Sequence, residues 1–345
     1  MADYADVFVK IVNSCKNVFE SQSMFRVNQE TLKTLAVAAL AETPPRAELP
    51  LRLSEEETCN VKFLQYLLQF GSAWRRKLLE EGDAVTRDRG LDFTLTAGIL
   101  GFVMTKQGAV TADTMSQTTL TEVSELFALP LQVERALEEM RGAVTLSEKS
   151  ALEPLAREIH LAILYAASQL RALELPSFAA FVQNNSVQQL VHRLMRYFPK
   201  LFADVYVDDE SNTETWLCAK ALLLAREVTT HQEEQADKAP VAVNDKVVAA
   251  LLHHGVVDFV DDSADIADHD YDRVLRCVCS HACQLMLESE ESLTTSQLQL
   301  WLEHTATLRK QPAEQQEVNA TDNVPATEQI VNLPEYTLRA HSLFY

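Results

Sequence analysis

Only eight glycines occur in 345 residues, while Ala and Leu dominate the periodic stretches of the chain. Glycine serves tight turns and strained backbone, whereas Ala and Leu are among the strongest helix formers. Such a chain is expected to be all-α. Hydrophobic residues make up 47% of it, enough for a substantial core at this length. The expectation is a single compact multi-helical domain over 1–345, with polar surface loops at 226–243 and 309–330, where proline occurs and helical periodicity stops.

The formal charge of −20, from 50 acidic and 30 basic residues, argues against a general nucleic-acid binder, because phosphate neutralisation requires clustered Lys and Arg. A small anionic ligand remains compatible with a local basic pocket. No stretch approaches the ~20 consecutive apolar residues of a membrane span, and MADYADVF is acidic where a signal peptide is basic. The expected location is therefore cytoplasmic, with the nucleus also open. The six cysteines fall mostly inside apolar helical patterns and read as reduced core thiols.

Apolar spacing places helices from Val7 to Val18, from Leu32 to Leu40, and from about Glu55 to Phe70, with Gly71 beyond the last. Pro44, Pro45 and Pro50 stop the second. Thr119 with Glu122, and Thr145 with Glu148, fit a capping box, and the second pair predicts a long helix from Leu146 to about Leu173. Asn184 and Asn185 mark a turn between two short helices, the second closed by Phe198 and Pro199. His253-His254-Gly255 has the composition of a helix C-terminus.

Several residues invite a chemical reading beside a structural one. Asp245 is most simply the N-cap of a helix from Lys246 to His253, a role that does not exclude acid-base chemistry. Glu303 lies on an amphipathic segment where a solvated carboxylate is the ordinary case. Cys277 and His281 share one helical face while Cys279 and Cys283 share another, so the four do not converge on one metal. Asp208-Asp209-Glu210 and Asp261-Asp262 lack the spacing of a calcium loop. No glycine-rich phosphate loop, Ser-His nucleophile element or dinucleotide fingerprint occurs.

The C-terminal half carries an ordered run of short patterns: SFAAFVQNNSVQQLVHRLMRYFPKLFAD from Ser177, VNDKVVAALLHHGVVDFVDD ending at Asp262, YDRVLRCVCSHACQLMLE from Tyr271, SQLQLWLEHTATLRK, and PEYTLRAHSLFY ending on Tyr345. In order and spacing, more than in identity, the run resembles the queuosine salvage family, which hydrolyses queuosine 5'-phosphate to release queuine. VFVKIVNSCKNVF, FLQYLLQFGSAW and the helix-loop-helix from Leu95 to Phe127 extend the resemblance over nearly the whole chain.

The resemblance implies an all-helical fold similar in plan to helical DNA glycosylases. It also implies an N-glycosidase that needs no cofactor or metal and takes a small modified nucleotide as its partner. Cleaving an N-glycosidic bond passes through an oxocarbenium-like cation, so a carboxylate is required to orient water or stabilise charge. The family's Asp falls on Asn244 in an ungapped count from Gly255, or on Asp245 after a one-residue slip, with Lys246 for the family Arg. Its second acid falls on Glu303, and His304 replaces the family Tyr. Trp74 is retained from an aromatic element otherwise reduced to Ser72, and Leu217 stands in place of a phosphate-contacting Lys, with Lys220 nearly a turn later. The implied catalytic residues are thus Asp245 and Glu303. Substrate contacts would come from Trp74, Asn244, Lys246, His304 and Lys220. The departures also allow a homologue that is catalytically silent or shifted in substrate, acting as a nucleoside- or protein-binding module.

Overall fold

A computed structural model describes residues 7–42, 44–45, 52–69, 73–82, 84–136, 145–207, 213–229, 238–260 and 269–308. Among these the protein is all-α: fifteen helices, with strands only in three two-stranded antiparallel ribbons. Tyr345, Ser72, both acidic loop pairs and the 309–330 loop lie outside the described residues.

Packing divides the chain into two compact units. Among the described residues, the first takes 7–10 and the described part of 48–239; the second takes the described parts of 11–47 and 240–308. Two of the crossings fall where the sequence carries proline, between Pro45 and Pro50 and at Ala239-Pro240. The third falls between Lys10 and Ile11, inside the opening helix Val7–Ser21.

In the first unit, helix Glu55–Leu67 starts at Ser54 through a reciprocal capping box with Glu57. Its Phe63 stacks on Phe178 at 4.0 Å between ring centroids, and Phe198 meets Phe63 and Phe181 edge-on at 5.6 and 5.3 Å. All four rings are buried, which is why the Phe178–Val182 and Val187–Tyr197 helices fold back onto Glu55–Leu67. The turn between those two short helices is the expected one, with Asn184 at φ +62° and Ser186 capping the second. Helix Glu153–Ala172 buries Ala156, Ala162, Ala166 and Ala167 among its larger apolar residues, and such small side chains allow neighbouring backbone to approach closely.

One expected helix start is corrected. Thr119 does cap the helix Leu120–Leu126, accepting from the Glu122 amide at 3.2 Å. Thr145 with Glu148 does not cap a helix: Thr145–Lys149 is a strand paired with Gln132–Ala136, and the long helix begins at Glu153. Five residues, all exposed, suit a solvated ribbon, and Pro154 supplies the missing amide and preset φ of a first helical turn.

The second unit is built around helices Gln29–Ala41, Asp245–His253, His269–Ser289 and Thr295–Leu308, whose apolar faces form one cluster containing Phe25, Leu32, Val247, Leu251, Val278, Leu298 and Leu302. A short ribbon pairs Phe25 with Phe259 and Val27 with Val257. Cys279 and Cys283 are fully buried within this core; burial pushes the Cys283 thiol up to about 12, and Cys279 is raised first by burial and then by Cys283. Both are inert thiols at neutral pH.

Candidate functional site

The segment Val241-Ala242-Val243 is buried and lies outside helix and strand ahead of helix Asp245–His253. Buried backbone outside a helix or sheet must find other partners, and for Ala242 one side chain supplies them. Gln299 Oε1 accepts from the Ala242 amide at 2.8 Å, while its Nε2 donates to the Ala242 carbonyl at 3.1 Å. Gln299 itself is buried, on helix Thr295–Leu308, one turn before Glu303.

The same Nε2 donates to Glu303 Oε1 at 2.7 Å, and Asn244 Nδ2 donates to that oxygen, also at 2.7 Å. One carboxylate oxygen therefore receives two short, charge-assisted hydrogen bonds from neutral amides. Asn244 performs a second task at its other end. Its Oδ1 accepts from the Lys246 and Val247 amides at 3.1 and 3.0 Å, so Asn244 is the N-cap. The expectation that Asp245 caps a helix starting at Lys246 is corrected accordingly: Asp245 is the first helical residue. The reason is geometric, since Asn244 has the extended backbone of a cap at φ −97° and ψ 177°.

Asp245 points elsewhere. Its Oδ1 lies 3.6 Å from a guanidinium nitrogen of Arg276, which also holds Asp272 at 3.3 Å. Asp245 and Glu303 thus belong to different polar groups of the second unit. Lys246 and His304 are half-buried neighbours of Asp245 and Glu303 in sequence. The helix ends as expected, with His253 last, His254 at the C-cap and Gly255 at φ +65°. The ring of His254 stacks on Trp301 at 5.5 Å.

Trp74 and Lys220 lie in the first unit. Lys220 is half-buried in helix Ala219–Val228, just after the buried Leu217. Trp74 donates its indole N–H to Glu158 Oε2 at 3.1 Å and carries the Lys77 ammonium over its ring at 4.7 Å. Glu158 was not singled out from sequence. A signal existed, because Glu158 sits three residues after Leu155 and four before Ala162, on the edge of an otherwise apolar stripe. Burial raises its carboxyl above the usual range, against the opposing effects of the Trp74 hydrogen bond and of Lys77.

A raised folded-state value means that the folded protein holds the proton more tightly than the unfolded chain. Ionised Glu158 therefore detracts from stability above its folded value, and the loss disappears below the unfolded one. Glu158→Gln keeps an acceptor for Trp74 and removes the charge. At pH 7 it is expected to stabilise the protein by on the order of a few tenths of a kcal/mol, after discounting for partial exposure. The gain should vanish near pH 4 in denaturant titrations; a variant less stable than wild type at pH 7 would show that the charge is needed.

Among the described residues, no group of three or more His, Cys, Asp and Glu side chains is placed to hold a metal ion, and no helix is long and apolar enough to cross a membrane. His281, which the sequence aligned with Cys277, packs its ring on Phe19 at 4.5 Å. Burial, followed by Lys16, depresses its imidazole below the ordinary range, so its neutral form is favoured.

The Asn244–Glu303–Gln299 group can orient a carboxylate, offer its remaining lone pairs to hydroxyl donors and stabilise a nearby cation. Its amides cannot take up a proton. No protein-family model matches the chain, and no curated protein matches it at a significant level.

Proposed function

We propose that this protein is a divergent relative of the queuosine salvage family that binds a nucleoside 5'-phosphate related to queuosine 5'-phosphate without hydrolysing it. The observation that carries the reading is the 2.7 Å hydrogen bond from Asn244 to Glu303. The resemblance assigns the family's two acids to these positions in an ungapped count, and a shared site requires them to meet. They lie 59 residues apart in the chain. Their meeting supports the ungapped correspondence over the slip to Asp245, whose carboxylate is directed to Arg276.

With Asn244 in the family Asp's position, the group that would activate water is an amide, which has no basicity to offer. Glu303 remains as an acceptor suited to ribose hydroxyls. A second reading, hydrolysis with Glu303 as the sole acid, is favoured by that carboxylate's fixed orientation. Full-length protein incubated with queuosine 5'-phosphate distinguishes the two, with calorimetry for binding and chromatography for free queuine. Binding without queuine, weakened at least tenfold by Glu303→Ala, is the expected result. Queuine release abolished by Glu303→Ala would transfer the conclusion to the hydrolase. Neither binding nor release, from folded protein, would reject both.

A further inference from the structure

Helix Ala84–Thr105 breaks at Gly90, and the part that follows is apolar on both sides. Leu91, Leu95, Ile99, Phe102 and Val103 are buried. The opposite side carries Phe93, Ala97, Leu100 and Met104, spaced by four, three and four residues, which keeps them in one stripe. Phe93 is 40% exposed and Met104 68%, the highest value among the exposed large apolar side chains of the described residues. Ala97 is exposed and Leu100 half-buried. In a chain that is 23% charged, residues 93–105 hold no charged side chain. The charges at the two ends are paired within the chain, Asp92 with Arg75 at 3.3 Å and Lys106 with Glu122 at 2.6 Å.

A helix that is apolar all round is ordinarily covered on both sides, whereas a surface helix keeps its outer face polar. Helices that lie on membranes carry Lys and Arg on their polar flank, which 93–105 lacks, so the stripe suits a protein surface better than a lipid one. It is also self-complementary. A twofold axis passing between Gly98 and Ile99, with the two helices antiparallel, sets Phe93 on Met104 of the second copy and Ala97 on its Leu100. A thioether against an aromatic ring is a favourable contact, and the small Ala97 leaves room for a leucine. The same rotation brings the acidic end at Asp92 toward the basic end at Lys106 of the second copy, and the reverse at the other end of the contact. Two chains of charge −20 repel each other, and an uncharged stripe with opposite charges at its ends is where that repulsion is least. We propose that Phe93, Ala97, Leu100 and Met104 form an isologous interface through which two copies of this chain make an antiparallel dimer.

The interface lies in the first unit and uses none of the residues around Asn244 and Glu303, so it survives or fails independently of the function proposed above. One helix pair buries less than the about 800 Å² per partner of a stable complex, so a weak dimer is expected, with a Kd of roughly 10–100 μM. Sedimentation equilibrium of the full-length protein, from about 1 to 300 μM, brackets that range. Phe93→Glu and Met104→Lys each place a charge inside the contact and should raise Kd at least tenfold. Mixed in equal amounts, the two variants should form a dimer again. The introduced carboxylate of one then faces the introduced ammonium of the other, while the second pair of positions remains phenylalanine on methionine. Thermal melts matching wild type establish that the variants are folded. Should Phe93→Glu melt early, Ala97→Glu at an exposed position takes its place beside Met104→Lys, and a raised Kd in both is the expected result. A protein monomeric throughout the range, a dimer indifferent to the single variants, or a folded Phe93→Glu and Met104→Lys mixture that stays monomeric would overturn the proposal.

Discussion

Gln299→Leu is expected to destabilise the second unit by about 3 kcal/mol, although leucine is an apolar side chain of similar bulk, one atom shorter and branched one carbon earlier. Leucine keeps much of the packing volume and deletes the hydrogen bonds. The Ala242 amide, in a residue with no solvent exposure, loses its acceptor and is left unpaired, at a cost of about 1–3 kcal/mol. The Ala242 carbonyl fares better, because the Asn244 amide also donates to it at 3.0 Å. Glu303 loses one of its two amide donors, which adds roughly another 1–2 kcal/mol. Denaturant melts of Gln299→Leu beside Gln299→Ala separate the contributions. Similar losses in both place the effect in the hydrogen bonds, whereas a loss below about 1 kcal/mol in the leucine variant would mean that Gln299 is mainly a packing residue.

The second large effect is conditional on pH. Asn244→Asp preserves the cap, since an aspartate oxygen accepts the Lys246 and Val247 amides as well as an asparagine oxygen does. At the other end it replaces an N–H donor by an oxygen facing Glu303 at hydrogen-bond distance. Two carboxyls that close share a single proton, which the unfolded chain would not retain at neutral pH. The folded variant therefore binds more protons than the unfolded one between about pH 4 and pH 7, and its stability falls as pH rises through that window. Near pH 4 the variant should match wild type; at pH 7 it should be weaker by about 2–3 kcal/mol, for a shift of roughly two units. Equal loss at both pH values would show that the asparagine amide contacts something other than Glu303. On the proposed function, the same substitution supplies the missing carboxylate, so queuine release measured near pH 5 is where a regained activity would be seen.

Much of the helical plan was legible because it depends on local chemistry. The opening helices, the Thr119 cap, the Asn184 turn and the Gly255 terminus each follow from a residue whose backbone preference or capping group acts within one turn. The ribbon at Thr145–Lys149 was not, because Thr-x-x-Glu is equally compatible with an exposed strand and the pairing partner lies upstream. The cap expected at Asp245 lies at Asn244 for a similar reason: both side chains cap well, and what separates them is a partner on another helix, Glu303 for one and Arg276 for the other. Glu158 and Trp74, 84 residues apart, meet only through tertiary packing. The division into two units was obscured because one crossing lies within a continuous helix, where no composition change marks it.

That interleaved order has a temporal consequence during synthesis. Helix Gln29–Ala41 is made early, but its buried Leu32, Leu35, Ala36 and Ala39 belong to a core completed by Leu251, Val278 and Leu302. All of 48–239 must emerge before those partners exist. The first unit can begin to fold while its neighbour's opening segment waits with an apolar face uncovered, a stretch that invites chaperone capture or misassociation. A nascent chain stalled before residue 240 should therefore leave 11–41 open to protease while helices Glu55–Leu67, Glu153–Ala172 and Val187–Tyr197 are protected.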